Sequence, residues 1–259
     1  MRILLKLEAE KNSEYDLKYF HKLQGFIYTL LKGTEYGILH DKHGYKFFCF
    51  SNIFPIGDIK TGDKRNLLIS SPDHLFIKFL KDKLEELKSE KKIVNIGEML
   101  FKVEEVSLLK FKLKKSCKII SATPIVIRIP EKNYEKYGIE EKKKRYVYWR
   151  PIYSFEAFLN QLEGNLFKKY NEFNKTKIEE FPLFEKFKFK KSTCNHIIIS
   201  GKEQKVIGSM WEFIFSHLTK EQKKILEFGI DCGFGERNSM GFGFINVIKN
   251  TRENRVSNI

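Results

Sequence analysis

The stretch GFGERNSMGFGF, Gly233 to Phe244, gathers Gly233, Gly235, Gly241 and Gly243 into one run near the C-terminus. Glycine-rich turns whose amide N–H groups converge on an anion are a common way to hold phosphate. A dinucleotide fingerprint needs G-x-G-x-x-G/A between a strand and a helix. Here Asn238 stands where the third small residue belongs, and the residues after Gly241 begin as a strand. The P-loop is excluded because no Gly-Lys-Ser/Thr is present. Two readings remain: a structural hairpin loop shaped by residues tolerant of positive φ, and a backbone–phosphate contact with a nucleic acid. Glu236 and Arg237 cancel in charge, so local evidence favours the hairpin.

Working outward, the residues before the loop carry a long helical pattern and several strand patterns. Beginning at the N-terminus, RILLKLEA alternates apolar and charged residues, as a strand with one buried face does. Phe20, Leu23, Ile27, Leu30 and Leu31 then recur at helical spacing, predicting a helix from about Leu17 to Lys32. YKFFCF (Tyr45–Phe50) and RNLLIS predict two strands. Pro72 opens the helical stretch HLFIKFLKDKLEEL, and MLFKVEEVSLL (Met99–Leu109) predicts a further strand. The order β-α-β-β-α-β is the ferredoxin-like pattern. Further on, KIISATPIVIRI and KRYVYWRP read as strands, and SFEAFLNQLEGNLFKKYNEF as a helix capped by Ser154. FKFKKSTCNHIIIS and KEQKVIGSM read as a hairpin about Gly201, followed by a short helix over Trp211–Leu226 and a last strand, FGFINVI. The second half is thus a more decorated α+β unit.

With 259 residues and 42% hydrophobic content, the chain can bury a substantial core. The 48 Lys and Arg outnumber 33 Asp and Glu, for a formal charge of +15. Such a balance points to a polyanionic partner, most commonly nucleic acid. Cys49, Cys117, Cys194 and Cys232 form no C-x-x-C pair, so neither a zinc site nor a disulfide framework is expected, and buried thiols are. The sequence has neither a membrane-spanning apolar run nor a signal-peptide core, which predicts a cytoplasmic protein with no membrane partner.

The glycine loop, together with LQGFIYTLL (Leu23–Leu31), YKFFCFSN (Tyr45–Asn52) and SATPIVIR (Ser121–Arg128), resembles the CRISPR-associated precursor-RNA-processing endoribonucleases. These form the sixth Cas family, within the repeat-associated RNA-binding superfamily marked by a C-terminal glycine-rich loop. The resemblance spans the chain. It implies an α+β protein of two tandem ferredoxin-like (RRM-like) domains, the second more decorated. Residues 1–110 would carry the catalytic residues and 118–259 the loop. It further implies cleavage of CRISPR precursor RNA within the repeat, with no metal or other cofactor, by attack of a 2′-OH on the adjacent phosphate. The products would carry 2′,3′-cyclic phosphate and 5′-OH ends. The alternative is a non-catalytic RNA-binding subunit of a CRISPR effector complex.

Family members use a tyrosine, a histidine and a lysine, and Tyr28, His40 and Lys46 stand at those positions. His40 would serve as acid to the 5′-oxygen, Tyr28 would orient the 2′-OH, and Lys46 would stabilise the transition state. Each has a plain alternative: a tyrosine covering a core edge, a loop histidine, a solvated lysine. His43 and Tyr45 could substitute for His40 and Tyr28. Candidate RNA-binding residues are Lys110, Lys112, Lys114, Lys115, Arg128, Lys142, Lys143, Lys144, Arg145, Lys186, Lys188 and Lys190. To these are added Gly233, Gly235, Arg237, Gly241 and Gly243 of the loop. Tyr146, Tyr148 and Trp149 either stack on bases or pack into a strand core. The expected partner is CRISPR repeat RNA; effector-complex subunits and a second copy of the chain are others that the resemblance allows.

Overall fold

The computed structural model describes residues 1–15, 19–140, 144–199 and 202–248. Its elements, in chain order, are β1 (Arg2–Ala9), α1 (Tyr19–Leu31), β2 (Cys49–Phe50), β3 (Lys64–Ser70), α2 (His74–Ser89), β4 (Ile93–Ile96), β5 (Met99–Leu109), β6 (Cys117–Ser121), β7 (Arg128–Pro130), β8 (Tyr146–Tyr148), α3 (Phe155–Asn174), β9 (Lys186–Ile199), β10 (Lys202–Phe215), α4 (Lys220–Cys232) and β11 (Ile245–Ile248). One sheet runs β2-β3-β1-β5-β4 and a second β11-β6-β10-β9, and every pairing in both is antiparallel. If β4 is set aside as an added edge hairpin on β5, the four shared strands lie in the same order, fourth-first-third-second, in each sheet. The protein is therefore α+β, and both sheets have the ferredoxin-like order. β7 and β8 form a separate two-stranded ribbon inserted before α3.

Sequence periodicity explains the packing. Ile3, Leu5 and Leu7 of β1 are buried on one face while Lys6 points to solvent. Leu23, Ile27 and Leu31 of α1 and Ile77, Leu80 and Leu84 of α2 cover that face. In the second half Phe158, Leu162 and Leu166 of α3 meet Trp211, Phe213 and Phe215 of β10, with Phe158 and Trp211 stacked at 4.1 Å. Ser154 caps α3 as expected, its hydroxyl accepting from Ala157 N. Asp73 caps α2, and Thr219 and Gln222 form a capping box on α4.

Four sequence expectations are corrected. The helix predicted over Trp211–Leu226 is the end of β10 followed by α4. Trp211, Phe213 and Phe215 are buried at strand spacing while Ile214 is exposed, so period two wins over helical spacing. The strand predicted over Tyr45–Phe50 pairs only at Cys49–Phe50, because Phe47 adopts a left-handed φ of 51° that breaks the extended backbone. KIISATPIVIRI is interrupted after Ser121 and resumes as β7, near Pro124, which cannot donate to a ladder. Finally, Gly233–Phe244 is not a strand-to-strand hairpin: it links α4 to β11, with a 3-10 turn at Asn238–Met240. Leu17, Gly201, Lys142 and Lys143 lie outside the described residues.

The two sheets are joined by a polar pin. The buried Arg2 side chain donates through Nη2 to Ile230 O (3.1 Å) and Ile245 O (2.6 Å), and its guanidinium lies 4.5 Å from the Phe244 ring and 4.9 Å from that of Phe111. Phe20 of α1 stacks on Phe242 of the glycine loop at 5.0 Å. No described helix is long and apolar enough to cross a membrane.

Candidate RNA-binding and catalytic site

Tyr28 follows the buried Ile27 on α1, so it stands at the flank of the helix's apolar stripe, half-buried, edge-on to Phe48 at 6.2 Å. The chain leaves α1 through a 3-10 turn at Glu35–Leu39, capped by the Thr34 hydroxyl, and this turn delivers His40. The Tyr28 and His40 rings meet edge to face at 5.1 Å. Lys46 reaches both: its Nζ donates to Tyr28 Oη at 2.9 Å and to the His40 carbonyl at 2.8 Å. His40 is two-thirds exposed, with a side-chain accessibility of 67%, and its Nδ1 lies 2.6 Å from Asp41 Oδ1, which leaves Nε2 as the outward nitrogen. The three sequence candidates are therefore brought together within hydrogen-bonding and ring-contact distance. His43 is exposed and takes no part in these contacts. Burial pushes the Tyr45 phenol above its ordinary pKa, with Glu236 and Glu172 adding to the effect, so it ionises less readily than an ordinary tyrosine.

Lys46 also lines a cleft of about 760 Å³ between the Gly44–Phe48 segment and the second half of the chain. The opposite wall holds Arg128 of β7, Lys132 and Lys136 of the following 3-10 turns, Lys168 of α3, and Arg237, Asn238 and Ser239 of the glycine loop. The polar positions Asn160, Gln161 and Asn165 of α3 complete that wall. The broken strand at Phe47 is what turns Tyr45 and Lys46 into this space rather than into the sheet.

The glycine loop forms the floor. Phe234 N donates to Gly243 O, Gly243 N to Pro124 O and Glu236 N to Val126 O, so the loop is stitched onto the interrupted segment after β6. At Gly243 (φ 72°) a Cβ would stand 1.9 Å from the Phe234 carbonyl oxygen, and at Gly235 (φ 67°) 2.5 Å from that of Val126. Neither position has room for a side chain. Below the loop lies Lys169 of α3, 1% exposed, whose Nζ donates to Gly233 O, to Gly235 O at 3.0 Å and to Asn238 Oδ1 at 3.0 Å. Burial lowers its pKa, partly offset by nearby Cys232, Cys49 and Glu236. All three ammonium protons have loop acceptors, so Lys169 holds the loop rather than a ligand. Sequence reading missed it, although it falls on the same helical stripe as Phe158, Leu162 and Leu166.

The other cationic candidates divide. Arg128 lies in the cleft, bonded to Glu236; burial works against its charge, and the carboxylate outweighs this and raises its pKa. Arg237 donates to Tyr148 Oη at 3.3 Å, and its buried Nε has no hydrogen-bond partner among the described residues. Lys110, Lys112, Lys114 and Lys115 are exposed on the connector between the sheets, outside the cleft lining. Lys186, Lys188 and Lys190 are exposed on β9, again outside the lining, and Lys190 pairs with Glu212 at 3.0 Å. Lys144 and Arg145 line a second, smaller pocket. Lys132, Lys136 and Lys168 were not singled out from sequence, where only their charge was visible. Trp149 is 2% exposed and packs on Phe158 and Trp211, which makes it a core residue. Cys49, Cys117 and Cys232 are buried, whereas Cys194 is exposed, contrary to expectation. Burial pushes the Cys49 thiol up to about 12.

A family model described as "CRISPR associated protein Cas6, C-terminal" matches residues 102–247. The chain is 35% identical over 260 residues to "CRISPR-associated endoribonuclease Cas6 2" of Methanocaldococcus jannaschii, covering 96% of this chain and 100% of that one. It is 30% identical over 262 residues to "CRISPR-associated endoribonuclease Cas6" of Haloferax mediterranei, covering 97% and 95%. Among solved structures it superposes on "CRISPR associated protein Cas6" with a TM-score of 0.70 at 23% identity, over 96% of this chain and 99% of that one. "An RAMP protein binding different RNA substrates" gives a TM-score of 0.71 at 23% identity, over 96% and 100%.

Proposed function

The chain belongs to the Cas6 family of CRISPR-associated proteins, and from that premise we propose that it cleaves CRISPR precursor RNA within the repeat by metal-independent transesterification. The coarser statement, a CRISPR RNA-processing endoribonuclease, follows from relatives of that name aligned along nearly the whole chain. The finer mechanism rests on one observation: Lys46 joins Tyr28 and His40 at the edge of a cationic cleft.

In this mechanism the RNA supplies its own nucleophile, so no metal-activated water is required. Tyr28 Oη hydrogen-bonds the 2′-OH upstream of the scissile phosphate and aligns it. The 2′-oxygen forms a bond to phosphorus as its proton passes to a water molecule beside Tyr28, and the bond from phosphorus to the 5′-oxygen breaks. His40 gives its Nε2 proton to the departing 5′-oxygen, producing a 5′-OH and a 2′,3′-cyclic phosphate. The Lys46 ammonium faces the charge that accumulates on the non-bridging oxygens. Arg128, Arg237 and the lysines of the cleft wall hold the flanking phosphates. Lys110, Lys112, Lys114, Lys115, Lys144, Arg145, Lys186, Lys188 and Lys190 act as an outer field that draws the polyanion in.

The test is incubation with the host's repeat RNA in EDTA. One cut, with a cyclic phosphate on the upstream product and a 5′-OH on the downstream product, is expected. Tight binding of RNA that stays intact would overturn the nuclease and favour a non-catalytic subunit of an effector complex. A 2′-deoxy nucleotide immediately upstream of the cut is expected to abolish cleavage while leaving binding largely intact, since it removes only the nucleophile.

A further inference from the structure

We infer that the β7–β8 ribbon carries a base-stacking subsite, in which an unpaired base of the RNA lies against Tyr146 and Tyr148. The inference rests on the RNA-binding reading above and specifies where, outside the catalytic cleft, the strand is gripped. Along β8 the buried Val147 faces the core, while Tyr146 and Tyr148 are half-buried on the other face. Their rings are 5.6 Å apart at 77°, so they do not cover one another as a closed stack would. Arg128 backs the Tyr146 ring at 4.6 Å, and Arg237 of the glycine loop donates to the Tyr148 hydroxyl, so both rings are held in place before any ligand arrives.

The two tyrosines line a pocket of about 450 Å³ together with Ile207 and the stretch of β8 at Val147, and Lys144, Arg145 and Arg150 rim it. An apolar floor with aromatic walls suits the flat face of a nucleobase, and a cationic rim suits the phosphates either side of it. A hydrophobic peptide would fit the floor but not the rim, and an isolated phosphate the rim but not the floor. Arg128 and Arg237 line the large cleft as well as touching the tyrosines, so the subsite continues the cleft rather than standing apart from it. One strand can therefore run from the catalytic edge across the glycine loop to the ribbon.

The experiment measures Kd of the full chain for the host's repeat RNA made uncleavable by a 2′-deoxy nucleotide upstream of the mapped cut, and for the same RNA lacking one base at a time. Tyr146→Ala is expected to weaken binding about 5- to 150-fold, the usual worth of one stacked base. Tyr146→Leu, which keeps bulk without a π-face, is expected to weaken it comparably, and Tyr146→Phe to bind as the wild type does. Base removal at one or two positions is expected to weaken the wild type and to cost Tyr146→Ala nothing further. Wild-type affinity in the Leu variant, or equal losses in the Phe and Ala variants, would overturn the subsite. So would additive losses at every abasic position. If the wild-type chain fails to bind the repeat RNA, the RNA-processing reading itself falls, a result distinct from a tight wild type whose Tyr146 variants are unchanged.

Discussion

At the residue scale, Lys46 is the side chain that both the proposed chemistry and the cleft require. Replacing it with Met removes the cation that the proposed mechanism sets against the phosphorane and is expected to lower kcat by about 10²–10³-fold. His40→Ala removes the proposed general acid and is expected to lower kcat by about 10²–10⁴-fold. The two are checked by single-turnover cleavage, with His43→Ala expected to retain activity; loss in that variant would move the acid to His43. The thiols give an independent check on burial. Only Cys194 is exposed, so an aromatic disulfide reagent is expected to titrate one thiol in the native protein and all four in denaturant. The grouping of Tyr28, His40 and Lys46 could be anticipated from the sequence because each sits in a short recognisable neighbourhood. Lys169 could not be, because a lysine's default place is solvent. Its position on the Phe158–Leu162–Leu166 stripe becomes meaningful only once three loop acceptors are seen to satisfy it.

At the scale of elements, the glycine loop is a helix-to-strand connection whose shape needs glycine backbone at crowded positions as well as the Lys169 side chain bonded beneath it. Gly243→Ala is expected to destabilise the protein by at least about 1–3 kcal/mol in urea denaturation, since it combines a left-handed φ with a backbone clash. Gly25 offers the opposite case. It lies on the exposed face of α1, and a methyl added there would meet no atom within 4 Å, so Gly25→Ala is expected to stabilise by about 0.5–1 kcal/mol. Elements whose periodicity is unbroken, such as β1, α2 and α3, could be read from the chain directly. Those that failed were places where one residue overrides its neighbours. Phe47 takes a left-handed turn, Pro124 falls in the break between β6 and β7, and Trp211–Phe215 is an aromatic strand that also satisfies short helical spacing.

At the scale of the whole molecule, the surplus of basic residues becomes informative once the structure sorts it by place. The affinity for single-stranded RNA is expected to fall with salt, and removing a phosphate-contacting lysine should flatten the log–log slope by about 0.7. Lys132→Ala, Lys136→Ala and Lys168→Ala are each expected to show that change. The exposed connector lysines, Lys110 and Lys112, lie outside the cleft lining, so replacing them with Ala is expected to slow association while leaving the slope nearly as it was. Charge alone suggested a polyanion, but the cleft joins Gly44–Phe48 to β7, α3 and the glycine loop, a grouping that only the folded chain creates.

The Arg2 pin carries a consequence for how the protein comes into being. A residue at the start of β1 is bonded to the carbonyls of Ile230 and Ile245, separated from it by 228 and 243 positions. At about 5–20 residues per second of synthesis, roughly 12–50 s pass between the appearance of Arg2 and that of Ile245. During that interval β1 can join its own sheet, but its guanidinium has nowhere to dock, and the floor of the cleft does not yet exist. The groove can therefore be completed only after Ile245 has been made, so its walls and its floor come together in one late step rather than one after another.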